Sequence, residues 1–247
     1  MNLENIVDGT TDLENFLNGF RETANISGIN FTQSHKVILS CIFNNPGLIS
    51  KKKQFCGPTA HEIQIKWLNA YKNAYENRTS VRTSGQMNTV ADPGIDQIIQ
   101  LRLSNLTPSK IEEIKFAHRL SMSAENIIGL ILEEYLSIEL AEFNWHCCWG
   151  EVTKFVDFCN ENGQLLQVKN RSNSENSASS SVRINTEIKF WYRVKAQNGN
   201  YNWDKLNEIN QTNKFSEEKF ISFLQNLIRE NSDVLNVEPD NPWQTDE

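Results

Sequence analysis

Apolar residues recur at helical spacing in the first third of the chain. In segments 12–23 and 60–75 they lie three or four residues apart, with polar residues between them, which predicts two amphipathic helices. A turn is expected between these helices at 44–47, and segment 77–85, rich in Arg, Thr and Ser without an apolar period, is typical of a linker. The two stripes consist of Leu13, Phe16, Leu17, Phe20, Ile63, Trp67, Ala70, Tyr71 and Ala74.

Helical spacing returns in the middle of the chain, from residue 92 to about residue 140. The pattern is interrupted near Thr107, which can cap a helix that has Pro108 at its first position. Ser123 is predicted to cap a further helix over 124–140, whose apolar residues form a buried stripe.

Two short segments alternate apolar and polar residues with a period of two, as β-strands do. Residues 154–158 and 165–169 show this alternation, and the turn-forming sequence Asn-Glu-Asn-Gly at 160–163 lies between them. Together they predict a β-hairpin.

The last third of the chain is rich in aromatic residues up to residue 194. Segment 182–194 is too apolar for a linker and fits a core helix or strand. Helices are predicted at 203–209 and at 216–231, the second capped by Ser216. The acidic tail from residue 233 onward is expected to be frayed.

Composition places the chain among folded proteins of the cytoplasm. It has 247 residues, of which 38% are hydrophobic, and no run of about 18 apolar residues that would suggest a membrane span. The N-terminus lacks the basic and apolar regions of a secretory signal. Five cysteines, an odd number without regular spacing, favour reduced thiols.

The net charge of -7 is unevenly distributed along the chain. Six acidic residues and no basic residue follow Arg229, so nearly all of the net negative charge lies in the tail. Residues 150–195 contain seven basic and five acidic residues. The overall charge therefore does not exclude a nucleic-acid partner for the middle of the chain.

The predicted hairpin combines a carboxylate, an amide and an amine. Asp157 is followed ten positions later by Gln167-Val168-Lys169, the order found in nucleases of the PD-(D/E)XK type, with Gln167 in place of the second acid. A carboxylate and an amide oxygen can bind Mg²⁺, and the ammonium of Lys169 can orient water or stabilise phosphate charge. The same residues also fit an exposed hairpin with a solvated lysine.

The segment after the hairpin is rich in Asn, Ser and Arg and would fit a flexible linker by composition. Its side chains can also donate hydrogen bonds to phosphates and base edges, and arginine suits bidentate contact with guanine. The candidates for DNA contacts are Asn170, Arg171, Asn173, Ser174, Asn176 and Arg183.

Segments 148–158 and 166–177 resemble the SinI-like type II restriction endonucleases, and segment 117–129 resembles the first helix of the catalytic core in that group. The resemblance covers roughly residues 90–205. It implies an α/β (α+β) fold with a PD-(D/E)XK core, in which helices flank a mixed sheet. The domains are then a helical region at 1–85, the core at 86–232 and the tail at 233–247.

The resemblance also implies a function. Enzymes of this group cut double-stranded DNA at GGWCC, where W is A or T, and the expected cofactor is Mg²⁺. A near-palindromic target implies a homodimer with one active site for each strand. The competing hypothesis is a DNA-binding or regulatory module that keeps the nuclease fold but lost catalysis when the second acid became Gln167.

The resemblance further indicates which acid replaces the charge that Gln167 lacks. The first helix of the core often contributes a carboxylate to the metal site, and this favours Glu125 as a ligand together with Asp157 and Gln167. Glu134 and Glu151 are the rival acids.

Overall fold

The computed structural model describes residues 1–83, 92–172, 187–238 and 241–243. The chain divides into two compact units, one formed by residues 1–78 and 132–221 and the other by residues 79–131 and 222–247. Among the described residues, no helix has the length and apolar character required to cross a bilayer.

Helices account for most of the regular structure in the described ranges. Their bounds are α1 (Leu3–Asp8), α2 (Leu13–Ile26), α3 (Gln33–Asn44), α4 (Ala60–Glu76), α5 (Pro93–Arg102), α6 (Pro108–Glu139), α7 (Trp203–Asn210) and α8 (Glu217–Glu230). Short 3-10 segments occur at Pro46–Leu48, Lys53–Phe55, Leu140–Phe143, Trp149–Glu151 and Ser232–Val234.

The two helices predicted from the N-terminal apolar stripes are confirmed as α2 and α4. The carboxylate of Asp12 caps α2 by accepting hydrogen bonds from the backbone N–H groups of Glu14 and Asn15, and the Thr59 hydroxyl caps α4. The stripes meet in a core where the rings of Phe20 and Trp67 lie 5.6 Å apart, edge to face.

One N-terminal helix, α3, lies within the segment where only a turn was predicted. Ile38, Leu39 and Ile42 are fully buried along it. Because consecutive residues of α3 are buried, its sequence has no clear alternation between an apolar stripe and a polar face, and periodicity does not reveal such a helix.

The sheet in the first unit has four strands in the order β1-β2-β3-β4. The strands are β1 (Trp145–Cys147), β2 (Phe158–Asn160), β3 (Leu165–Arg171) and β4 (Ile188–Val194). β2 pairs antiparallel with β1 and β3, whereas β3 and β4 are parallel. The predicted mixed sheet flanked by helices is confirmed, and segment 182–194 contains a strand.

The predicted hairpin is confirmed as β2 and β3, but its first strand begins later than expected. Residues 154–157 are not part of β2. The Lys154 N–H donates to the carbonyl of Leu48, and Phe155 has a φ of 68°. The bond to Leu48 and the left-handed backbone take Lys154 and Phe155 out of the strand, so alternation alone placed its start too early.

The hairpin turn is held by one asparagine side chain. The Asn160 carbonyl Oδ1 accepts from the N–H groups of Asn162 (3.1 Å) and Gln164 (2.9 Å). Gly163 supplies the positive φ of 75° that the turn requires. The register places Phe158 opposite Leu166 and fixes which residues of β3 lie beside Asp157.

Helices of the first unit cover both faces of the sheet. Cys159 and Leu165 belong to the same hydrophobic core as α1 to α4. Because successive side chains of a strand alternate between faces, Trp191 lies on the opposite face from Ile188. Trp191 is fully buried and packs against Trp203 of α7, with ring centroids 5.0 Å apart.

The second unit contains α5 and most of both α6 and α8. Thr107 caps α6 as predicted, because its hydroxyl accepts from the Lys110 N–H at 3.4 Å. The predicted cap at Ser123 is wrong, since α6 continues through this position and Ser123 is buried within it. No proline or glycine stands near Ser123 to interrupt the helix.

The described part of the predicted tail makes defined contacts within the second unit. Val234 is buried, and Glu238 accepts two hydrogen bonds from the Arg119 guanidinium, at 2.5 and 2.9 Å. The boundaries predicted at residues 85 and 232 stay predictions.

Candidate active site

Asp157 immediately precedes β2 and lies against β3. Its backbone N–H donates to the Leu166 carbonyl at 3.0 Å, and its Oδ2 accepts from the Val168 N–H at 2.7 Å. These two bonds bracket Gln167, so the carboxylate is fixed beside the strand that carries Gln167 and Lys169.

Gln167 and Lys169 lie two residues apart on β3 and therefore share a face. Gln167 is buried and Lys169 is half-buried. Burial is the larger influence on the Asp157 carboxyl and raises its pKa, while the positive charge of Lys169 acts on it in the opposite direction. The structure thus brings together the acid, the amide and the amine that the sequence indicated.

Glu133, on α6, adds a second carboxylate to this group. Its Oε1 accepts a hydrogen bond from the Cys147 thiol on β1 at 3.7 Å. The charges of Asp157 and Lys169 both act on the Glu133 carboxyl, so the three groups lie within electrostatic range of one another. Sequence reasoning favoured other acids and missed Glu133.

The sequence by itself carried only a partial signal for Glu133, its place near the end of the helix predicted at 124–140. In the structure Glu133 lies nearly two turns before the end of α6, and only a short segment, Leu140–Asn144, separates that end from β1. Such a short connection folds the last turns of the helix back along the strand.

Burial shifts the pKa values of both carboxyl groups upward. It raises the pKa of Glu133 to about 7, and the charge of Asp157 adds to this rise, whereas Cys147 and Lys169 oppose it. Burial also raises the pKa of Asp157, against the Val168 N–H and Lys169. Desolvated carboxylates close together repel each other, and a cation between them would relieve the repulsion.

The donor set suits a hard divalent cation. Two carboxylates and the amide oxygen of Gln167 are ligand types that Mg²⁺ accepts. In the described part of the chain, no group of three or more His, Cys, Asp or Glu side chains is arranged to hold a metal ion. A site here therefore needs Gln167, or water and DNA phosphate, to complete the coordination of the cation.

The acids that the sequence favoured have other surroundings. Glu125 belongs to the second unit, and its proposed role stays a prediction. Glu134 is buried and forms an ion pair with Arg78, with Oε1 and Nε 3.2 Å apart. Glu151 is exposed and pairs with Lys52.

The predicted DNA contacts divide between described and undescribed parts of the chain. Asn170 is half-buried, and its Oδ1 accepts from the Arg193 Nε at 3.0 Å. Arg171 is exposed at the end of β3. The remaining candidates lie outside the described residues: Asn173, Ser174, Asn176 and Arg183.

Similarity to known proteins extends over most of the chain. Residues 22–230 match the family model described as SinI restriction endonuclease. The type II restriction enzyme Eco47I from Escherichia coli is 41% identical over 184 residues, which are 72% of this chain and 77% of that enzyme. The type II restriction enzyme SinI from Salmonella infantis is 37% identical over 142 residues, which are 54% of this chain and 62% of that enzyme.

The matched range contains the hairpin, Glu133, α3, α4 and α7. The resemblance inferred from the sequence is therefore confirmed. The chain belongs to the SinI restriction endonuclease family.

Proposed function

We propose that this protein is a Mg²⁺-dependent type II restriction endonuclease that hydrolyses double-stranded DNA at a short near-palindromic site. The observation that carries the proposal is the grouping of Asp157, Glu133 and Lys169 beside Gln167, in a member of a restriction endonuclease family. Such a grouping of acids and an amine is what metal-assisted phosphodiester hydrolysis requires.

Asp157, Glu133 and the amide oxygen of Gln167 would hold the cation, with Glu125 as the further predicted ligand. A bound divalent cation supplies positive charge next to the scissile phosphate. The raised pKa of Glu133 supports this assignment, because a carboxyl group that is costly to ionise alone becomes favourable to ionise beside a cation.

The chain's own residues supply the remaining chemistry. The Lys169 ammonium orients the attacking water and stabilises the negative charge that develops on the phosphate oxygens. The Val168 N–H holds the Asp157 carboxylate in one orientation. Attack in line with the leaving group breaks the bond between phosphorus and the 3′ oxygen, which leaves 5′-phosphate and 3′-hydroxyl ends.

We propose GGWCC as the target, with cleavage after the first G on each strand, which leaves a three-nucleotide 5′ overhang. Arg171 and the candidate residues of the following segment would contact phosphates or base edges. The near-palindrome calls for a homodimer that presents one active site to each strand. The proposed place of action is the cytoplasm.

The fold proposed for this activity is the PD-(D/E)XK core. The mixed sheet, the hairpin that carries Asp157 and Lys169, and an acid on the helix before β1 all support it. The domain division at 1–85, 86–232 and 233–247 accompanies this proposal.

The test is to incubate plasmid DNA with Mg²⁺ and the wild-type protein or its Lys169→Ala variant. Lys189→Ala is the matched control, because Lys189 pairs with Leu166 and so lies on the opposite face of the sheet from Lys169. We expect discrete fragments from the wild type and the control and none from Lys169→Ala. Sequencing the fragment ends tests the target and the position of the cut.

The presence of Gln167 in place of the second acid favours one alternative, a DNA-binding or regulatory module without catalysis. That alternative predicts specific binding without cleavage by the wild type in Mg²⁺. A gel-shift assay on the same DNA separates the two functions.

A further inference from the structure

The dipeptide Cys147-Cys148 at the end of β1 contacts both carboxylate residues of the site. The thiol of Cys147 donates to Oε1 of Glu133 at 3.7 Å. The backbone N–H of Cys148 donates to the carbonyl of Asp157 at 2.8 Å. Two consecutive residues therefore hold the helix acid and the hairpin acid at one place.

Cys147 is well placed to act as a rigid support. Its side chain is 5% exposed, so water does not compete for the carboxylate at this point. Its backbone pairs with Phe158, the residue that follows Asp157. The position of the sulfur is thus coupled through the sheet to the position of Asp157.

Glu133 requires such a support because its side chain is long. A glutamate on a helix can adopt several rotamers, and only some of them direct the carboxylate toward Asp157. A hydrogen bond from a buried donor selects among these rotamers before DNA or a cation arrives.

We propose that Cys147 is a positioning residue of the nuclease, which orients the Glu133 carboxylate for the metal site. This inference rests on the proposed function. Cys147 acts through Glu133, and the thiol takes no part in bond making or breaking.

Two substitutions separate positioning from space filling. Cys147→Ala removes the donor, whereas Cys147→Ser keeps a donor on a similar side chain. A positioning role predicts that Cys147→Ala lowers kcat about tenfold or more while Cys147→Ser keeps most of the activity, with KM for DNA unchanged in both. A purely structural role predicts no advantage for serine, because burying a hydroxyl group is more costly than burying a methyl group.

Cys41 provides the matched control. It is also a buried cysteine of the first unit, at 3% exposure, and its thiol contacts the Asn160 carbonyl at 3.9 Å rather than an acid. Cys41→Ala and Cys41→Ser should show no preference for serine in kcat.

Calorimetric titration of Mg²⁺ into the protein gives a readout that is independent of cleavage. We expect weaker binding for Cys147→Ala and near wild-type binding for Cys147→Ser. If Cys147→Ala cleaves and binds Mg²⁺ like the wild type, or if serine and alanine lose activity equally, the role of Cys147 is overturned. A wild type that does not cleave DNA would instead overturn the proposed function.

Discussion

Arg193 of β4 and Glu217 at the start of α8 form a largely buried ion pair, with Nη1 and Oε1 2.5 Å apart. The other oxygen of Glu217 accepts from the indole N–H of Trp203 at 2.8 Å. Removing the carboxylate leaves a buried guanidinium and a buried N–H without this partner. We therefore expect Glu217→Ala to lower the free energy of unfolding by about 3 kcal/mol in urea denaturation.

An exposed ion pair of the same unit is the control for this prediction. Glu142 pairs with Lys214, and both side chains are at least half exposed. Glu142→Ala should change the free energy of unfolding by less than about 1 kcal/mol. Equal effects of the two substitutions would contradict the special role of the buried pair.

Gly150 occupies a position that no other residue can take without strain. Its φ is 80°, and a Cβ at this position would overlap the carbonyl oxygen of Ala70 in α4. Gly150→Ala combines a left-handed backbone with a clash against a helix backbone. We expect a loss of about 3 kcal/mol or more in the free energy of unfolding, measured by denaturant titration.

Gly163→Ala separates the backbone penalty from the steric clash. Its φ of 75° is similar, but nothing lies within 4 Å of the position of a Cβ. Gly163→Ala should therefore cost only the backbone penalty, about 1 to 2 kcal/mol. A loss as large as that of Gly150→Ala would show that the contact with Ala70 contributes little.

His35 is buried among aromatic rings, and burial lowers its pKa from 6.5 to about 4. Its Nδ1 accepts from the Thr32 N–H at 3.0 Å, as a neutral imidazole does. Below pH 6.5 the unfolded chain binds a proton that the folded chain excludes. His35 therefore lowers the stability as pH falls from about 6.5 to about 4, by up to about 3 kcal/mol, and has no such effect above this range.

Urea denaturation of the wild type and His35→Gln at several pH values measures this contribution of His35 to the free energy of unfolding. The variant should lose less stability than the wild type between pH 6.5 and 4. Parallel curves for the wild type and His35→Gln would refute the assignment.

The choice between Glu133 and Glu125 as the acid that complements Asp157 can be tested directly. Glu133→Gln keeps the shape of the side chain but removes the charge beside Asp157 and Lys169. We expect its kcat for DNA cleavage to fall at least 100-fold, as when a catalytic electrostatic group is removed. DNA binding without Mg²⁺ should change only slightly, because a negatively charged carboxylate makes no attractive contact with DNA phosphates.

Glu125→Gln is the companion variant in the same cleavage and gel-shift assays. Near wild-type cleavage by Glu125→Gln, together with inactive Glu133→Gln, would assign the metal-site role to Glu133. The reverse result would restore Glu125, which the resemblance favoured.

Local pattern predicted those parts of the fold that local interactions stabilise. The stripes of α2 and α4, the Thr107 cap and the turn at Asn160 are determined by residues close in sequence, and all were predicted. Ser123 was misassigned because a serine that can cap a helix can also lie inside one. β2 was predicted to start too early because Lys154 bonds to Leu48, a residue distant in sequence, and local alternation does not reveal such a contact.

The sequence by itself determined the hairpin and hence the grouping of Asp157, Gln167 and Lys169, because a short turn and alternation specify which side chains face each other. Only the tertiary structure decided that Glu133 joins them and that Cys147 contacts it. Those contacts depend on how α6 packs against β1. Packing of a helix on a strand is driven by burial of apolar surface, which has no preferred direction. The sequence therefore does not specify which polar residue of the helix reaches the site, and the folded protein shows it.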